Sequence, residues 1–143
     1  MIKVVFFLTL FLTPFHSLTQ TEKLSPRLDP ADTSQFLYEF SMRYVGSSTR
    51  IDMNYRYVLE HLAELLDKNK SWTLHIRGHV CCGPSDKIST KRAKKVYNFM
   101  IRSGVDAARI SFKGYSDRMP LAFPEKTEED EEMNRRVDFV VHR

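Results

Sequence analysis

The sequence predicts an α/β fold, a small α+β sandwich with its segments in the order β-α-β-α-β-β. Three observations predict it. The chain has 143 residues with 42% hydrophobic and 28% charged side chains, which suits one packed domain and is short for two. Segments with an apolar residue at every second position alternate with segments whose apolar residues follow the 3.6-residue period. Strand-helix-strand succession favours helices packed on a sheet, with parallel neighbours joined by right-handed crossovers.

Residues 1–19 differ from the rest. Lys3 precedes the apolar run Val4 to Leu12, which ends at Thr13-Pro14. The run is about half of the roughly 20 residues that a membrane-spanning helix needs, so it reads as a secretory signal peptide. The small residues Ser17 and Thr19 place cleavage near Gln20, and no Cys follows to accept a lipid. Residues 20–34, with Ser25, Pro26, Asp29 and Pro30, read as a flexible linker, leaving residues 35–143 as the domain. The mature chain should then be exported, with no transmembrane segment. Loss of Lys3 leaves 21 basic and 18 acidic residues, a mild +3 that does not argue for nucleic acid.

Within the domain, Phe36, Tyr38 and Phe40 alternate with Leu37, Glu39 and Ser41 as a first strand. Asp52 can cap a helix carrying Tyr55, Val58, Leu59, Leu62, Leu65 and Leu66, ending near Asp67 to Lys70. Trp72, Leu74 and Ile76 mark a second strand running to Gly78. A second helix starts near Ser85 or Asp86, carries Ala93, Val96, Tyr97, Met100 and Ile101, and stops at Gly104. Ile110 and Phe112 form a third strand; Val137, Phe139 and Val141 form a fourth. The stretch 116–133 is long for a structureless loop, so it should hold a short helix capped by Thr127 with Asp130 three positions on. Two charge runs, Lys87 to Lys95 and Glu128 to Glu132, read most simply as solvated faces.

Gly78 to Arg92 joins a strand end to a helix start and is the candidate site. Running the stripe of the second helix back from Val96 reaches Ser89, Arg92 and Ala93, which puts Arg92 on or beside the buried face. A guanidinium there needs a partner. It lies in the early turns of its helix, where free N–H groups favour anions, and its fork fits a carboxylate. The alternatives are an external carboxylate or phosphate, and an internal ion pair with an acid such as Asp117 or Asp138.

Four blocks now stand in order: Gly78-His79 at a strand end; Ile88-Ser89-x-x-Arg92-Ala93-x-x-Val96; Lys113-Gly114-Tyr115-Ser116-Asp117-x-x-Pro120; and Asn134-Arg135-Arg136-Val137. In order and spacing they resemble the OmpA-like domain, from about Gln35 to Arg143. The resemblance implies helices on one side of a mixed sheet, a place in the periplasm of a diderm bacterium against the cell wall or outer membrane, and non-covalent binding of peptidoglycan without catalysis. It also implies a ligand in the stem peptide, commonly diaminopimelate, whose carboxylate is gripped at the position of Arg92, beside Ser89, Gly78 and His79.

The chain departs from that pattern. The family's Gly-His-Thr-Asp is here Gly78-His79-Val80-Cys81, so Cys81 stands where an acid would meet the ligand's amino group. Ser85 matches a usual Asn, and Asp86 is placed to restore a carboxylate from the other side of the loop. Asp130-Glu131 replaces a Gly-Arg pair. Asn134 and Arg136 match in type, either at the site or bracing the sheet, and strand parity alone does not say which arginine faces the ligand.

Cys81 and Cys82 are the only cysteines, and they are adjacent. Their alternatives are a tight bond to each other, disulfides to another molecule, buried thiols, or a soft metal held with His75 or His79. No cofactor and no metal follows from the residue pattern. Three functions of different class compete: a peptidoglycan-binding module, an interaction module that keeps the fold but has exchanged its ligand for an envelope protein partner, and a thiol- or metal-dependent enzyme. The last lacks a second carboxylate or base at useful spacing beside Cys81, Cys82 and His79.

Overall fold

The computed structural model describes the backbone of residues 35–37 and all of residues 40–143. The apolar run Val4 to Leu12, its cleavage site, the linker and Tyr38 of the first strand lie outside the described residues. The elements are β1 (Gln35–Leu37), β2 (Met42–Arg43), α1 (Arg56–Lys68), β3 (Thr73–Gly78), α2 (Asp86–Arg102), β4 (Ile110–Gly114), α3 (Glu128–Asn134) and β5 (Arg136–His142). Among the described residues no helix is long and apolar enough to cross a membrane.

Of the expected first strand, Phe36 to Ser41, the start lies in β1, Phe40 and Ser41 are not strand, and β2 follows beyond it at Met42. Both β1 and β2 pair antiparallel with β5, but Leu37 lies opposite Val140 whereas Met42 lies opposite Val137, so the register slips by two residues between them. The Phe40 ring packs against Tyr55 and Phe139 instead of continuing a ladder. Tertiary packing overrides the local alternation there.

The sheet runs β1-β5-β3-β4, with β2 also on β5. The expected parallel neighbours are found for β3 and β4, joined through α2. They are not found on the other side: β5 enters antiparallel between β1 and β3, so the strands flanking α1 are not neighbours. Burial drives that insertion. β5 is buried along almost its whole length, as only a central strand can be.

One face of the sheet carries Leu74, Ile76, Val137, Phe139 and Val141, and on it lie Leu59, Leu62 and Leu66 of α1 with Ala93, Val96 and Met100 of α2. Each of the larger side chains contributes about 1.5–3 kcal/mol by leaving water. α2 sits so close to the strand ends that a Cβ on Gly78 would stand 2.0 Å from the Ser89 carbonyl oxygen, and one on Gly114 would stand 2.3 Å from Thr90 Oγ1. Gly78 and Gly114 are paired across the β3–β4 ladder, so the absence of two side chains sets where α2 begins. Residues 116–133 hold the expected short helix: Thr127 and Asp130 form a capping box on α3.

Candidate functional site

Ser85 caps α2 by accepting from the Ile88 N–H, and its own N–H donates 2.7 Å to Ser116 Oγ. Ser89 Oγ donates to the Ser85 and Asp86 carbonyls and accepts from the Ser116 N–H. The Val80 N–H donates to the Ser116 carbonyl at 3.0 Å. Ser116, which the sequence pointed to only as part of a motif, thus ties the loop after β3 and the first turn of α2 to the end of β4. Its φ of 55° lies in the left-handed region, where serine is uncommon.

Arg92 leaves the second turn of α2 toward the loop ends and is 1% exposed. Its Nε donates to the Ser48 carbonyl at 2.9 Å, Nη1 to His79 at 2.7 Å and Nη2 to Gly46 at 2.6 Å. The guanidinium carbon stands 4.7 Å from the centre of the Tyr44 ring. Neither acid named from the sequence, Asp117 or Asp138, pairs with it. Among the described residues its partners are carbonyls, which orient the guanidinium without cancelling its charge. Burial pulls its pKa down to about 10, with the positive charge of Arg135 adding to the effect, so it stays a cation at neutral pH.

A groove of about 560 Å³ opens here, lined by Gly46 and Ser47, by Val80 to Ser85, and by Ile88, Arg92 and Arg135. A guanidinium has five N–H donors, and Arg92 spends three on carbonyls. Arg135 donates from Nε to the Tyr44 carbonyl at 3.2 Å, and from Nη1 to Glu131 at 2.8 Å and Cys81 Sγ at 3.4 Å. Cys81 and Cys82 are joined in a disulfide that forms one wall, with Cys82 at φ 63° and its N–H donating to Glu125. Both sulfurs and a Glu131 oxygen lie within 4.8 Å of one another, but sulfurs bonded to each other offer no thiolate to a metal.

Of the residues singled out in the sequence, Arg92, Ser85 and Cys81 line this groove. Gly78 and Ser89 stand behind it, fixing α2 on the sheet. Asp86 does not turn toward the loop: its carboxylate takes a 2.6 Å hydrogen bond from Arg118 on the outside. Asn134 braces residues 121–125, accepting from the Leu121 and Ala122 N–H groups and donating to Glu125. Sequence reasoning missed Arg135, Gly46 and Ser47. The signal for Arg135 was its parity with Val137 and Phe139, which puts it on the helix side of β5; what was lacking was which side held the site.

Arg136 and His79 lie on the other face. Asp138 Oδ1 accepts 2.6 Å from Arg77 Nε, and its Oδ2 accepts 3.1 Å from Arg136 Nε, all within a buried cluster. His79 Nε2 is 3.2 Å from Asp138 Oδ2 but not aligned as a hydrogen bond, and its ring stacks on Tyr115. Burial works to raise the Asp138 carboxyl, yet His79 and Arg77 outweigh it and hold it well below the usual range. Burial pushes His79 the other way from a salt-bridged histidine, down from its ordinary value. His75, four residues before His79 on the same strand face, is engaged by Ser111 and Tyr115, so the two do not form a metal pair.

A helix whose first turns lie against the carboxyl ends of two parallel strands, with an arginine held by carbonyls in a groove beside them, defines a small α+β module. The chain belongs to the OmpA family, whose sequence model matches residues 43–135. It is similar to outer membrane porin F of Pseudomonas fluorescens, 30% identical over 87 residues, a match that covers 58% of this chain and 26% of the porin. In fold it is similar to the peptidoglycan-associated lipoprotein of Burkholderia pseudomallei (22% identity, 71% of this chain and 89% of that one, TM-score 0.67). It is likewise similar to the C-terminal domain of Helicobacter pylori MotB (22%, 73% and 84%, TM-score 0.68). The cell wall anchor of the type VI secretion system of Pseudomonas aeruginosa also shares the fold (22%, 76% and 87%, TM-score 0.62).

Proposed function

We propose that this chain is a non-catalytic module of the cell envelope that binds peptidoglycan non-covalently through its stem peptide, with a carboxylate of a diaminopimelate-type residue held at Arg92. One observation carries the reading: among the described residues Arg92 is a buried cation without an acid, with unspent N–H donors, lining a groove of ligand size. Membership of the OmpA family supports the class of ligand, and two of the similar structures are named for peptidoglycan or the cell wall. The signal-peptide reading of residues 1–19 puts the domain in the periplasm, where that ligand is.

The test is co-sedimentation of the protein with purified diaminopimelate-containing sacculi, using wild type and Ser47→Glu. Ser47 is exposed on the groove wall, and a carboxylate there would compete for the guanidiniums without disturbing the carbonyl cage. Wild type should sediment and the variant should stay in solution; a wild type that stays in solution rejects the reading. A second reading, a module that binds an envelope protein instead, is favoured by one surface: Val45, Met53 and Tyr57, exposed at 82%, 67% and 77% on and around the β2–α1 connection. Under it, substitution of Tyr57 rather than Ser47 would abolish envelope association.

A further inference from the structure

We propose that the Cys81–Cys82 disulfide closes a latent metal site, and that its reduction by a dithiol frees both sulfurs to hold a thiophilic divalent cation together with Glu131. The site is independent of the ligand at Arg92, and either reading can fail without the other.

Placement carries it. Both sulfurs and a Glu131 oxygen lie within 4.8 Å of one another, brought together from the loop after β3 and from α3. Ligand atoms around a tetrahedral ion stand roughly 3.5–4 Å apart, so small movements let these three share one. Glu131 can make its part of the movement, since its side chain is 41% exposed and Arg135 engages one of its two oxygens. Two sulfurs and a carboxylate suit zinc or cadmium rather than calcium or magnesium. Charge agrees. The charged side chains that line the groove or bond to the cysteines and Arg135 are Arg92, Arg135, Glu131 and Glu125, the last accepting from the Cys82 N–H. These four cancel while the disulfide is closed. A coordinating thiol gives up its proton, so two bound thiolates add two negative charges, which a divalent cation balances.

The bond is open to exchange. Neighbouring cysteines close a tight ring with their Cα atoms 3.8 Å apart, where disulfides usually span about 4.4–6.8 Å, and a bond so constrained is more reducible. Cys82 is exposed and Cys81 half-buried. A thiolate of the reductant attacks Cys82 Sγ, the S–S bond breaks, and its electron pair leaves on Cys81 Sγ, which takes an N–H from Arg135 at 3.4 Å. The second thiol of the reductant then displaces Cys82 Sγ. The reductant ends as a disulfide, two electrons end on the cysteine sulfurs, and the protons of the dithiol pass to them through solvent. An ion entering between the sulfurs releases those protons and stands where the bond was, widening the ring by one atom.

The test is cadmium titration of the purified protein without oxygen, before and after treatment with excess dithiothreitol and its removal. The readout is the ultraviolet charge-transfer absorption of sulfur bound to cadmium. The reduced protein should bind one ion per chain with that absorption, and the disulfide form should show none. Three outcomes overturn the proposal: a disulfide that excess dithiol leaves intact in the folded protein, a reduced protein without the absorption, and one ion per two chains, which means thiols bridging separate copies.

Two variants locate the third ligand. In the reduced protein Glu131→Gln should weaken cadmium binding at least about tenfold, the smallest loss expected when a group supporting a metal site is removed. Glu129→Gln alters an exposed acid of the same helix outside the group and should leave binding unchanged. Equal binding by Glu131→Gln and wild type, or an equal loss in both variants, overturns the three-ligand site. Circular dichroism checks that each variant is folded; if Glu131→Gln is not, the stoichiometry and the dependence on reduction in wild type still decide.

Discussion

Arg92 and Arg136 are equally hidden, each 1% exposed, and they stand on opposite faces of one sheet. Arg136 shares Asp138 with Arg77 in a buried cluster, and its Nη2 donates to the Met119 carbonyl. Arg92 has carbonyls for partners and a groove in front of it. A buried guanidinium given an acid is spent on the fold. One given only dipoles is held in place yet keeps its attraction for an anion from outside.

The sharpest way to break the contrast is Asp138→Asn, which leaves Arg77 and Arg136 buried without an acid. Urea unfolding should show a loss of about 3–5 kcal/mol. The same variant gives a pH signature. The folded-state pKa of Asp138 lies below its ordinary 3.8, so its stabilisation is present above that value and is lost as pH falls further. Wild-type stability should therefore drop on acidification below about pH 4, and the drop should be shallower in Asp138→Asn.

Next in size is Arg92→Met. It abandons the carbonyls of Gly46, Ser48 and His79 and should cost about 2–3 kcal/mol in the same measurement, with sacculus binding lost. Because burial lowers the Arg92 pKa only to about 10, wild-type binding should hold level through neutral pH. Gly78→Ala comes third. Its Cβ would meet the Ser89 carbonyl at 2.0 Å, so α2 must shift, costing about 1–3 kcal/mol and weakening binding through the displaced Arg92. Smallest on stability is Ser47→Glu, an exposed loop substitution expected to change unfolding by less than about 0.5 kcal/mol. Its effect should show in binding alone, which separates the groove from the fold.

Much of this contrast was legible in the residues and some was not. The helices and the burial of Arg92 follow from local periodicity, and residues 127–130 announce α3 by their capping box; Asp52, expected to cap the first helix, instead caps a 3-10 turn at Met53–Tyr55, and α1 starts at Arg56 with no side-chain cap. The place of β5 between β1 and β3 does not, because pairing across about a hundred residues leaves no local pattern. Nor did the partners of Arg92. An acid partner is written in the side chains, whereas any residue can present a carbonyl, so Gly46 and Ser48 carried no signal. Asp86 looked like a site carboxylate by position; Arg118, 32 residues away, took it.

The carbonyl cage of Arg92 has a mechanical consequence. Tension applied to a molecule held at that guanidinium would pass into α2 directly, into the β2–α1 connection through Gly46 and Ser48, and into the end of the central strand β3 through His79. Bonds loaded side by side must fail together, whereas bonds loaded in series fail one at a time. The grip is thus backed by the middle of the sheet rather than by a single loop, which is the arrangement a tether to a load-bearing wall requires.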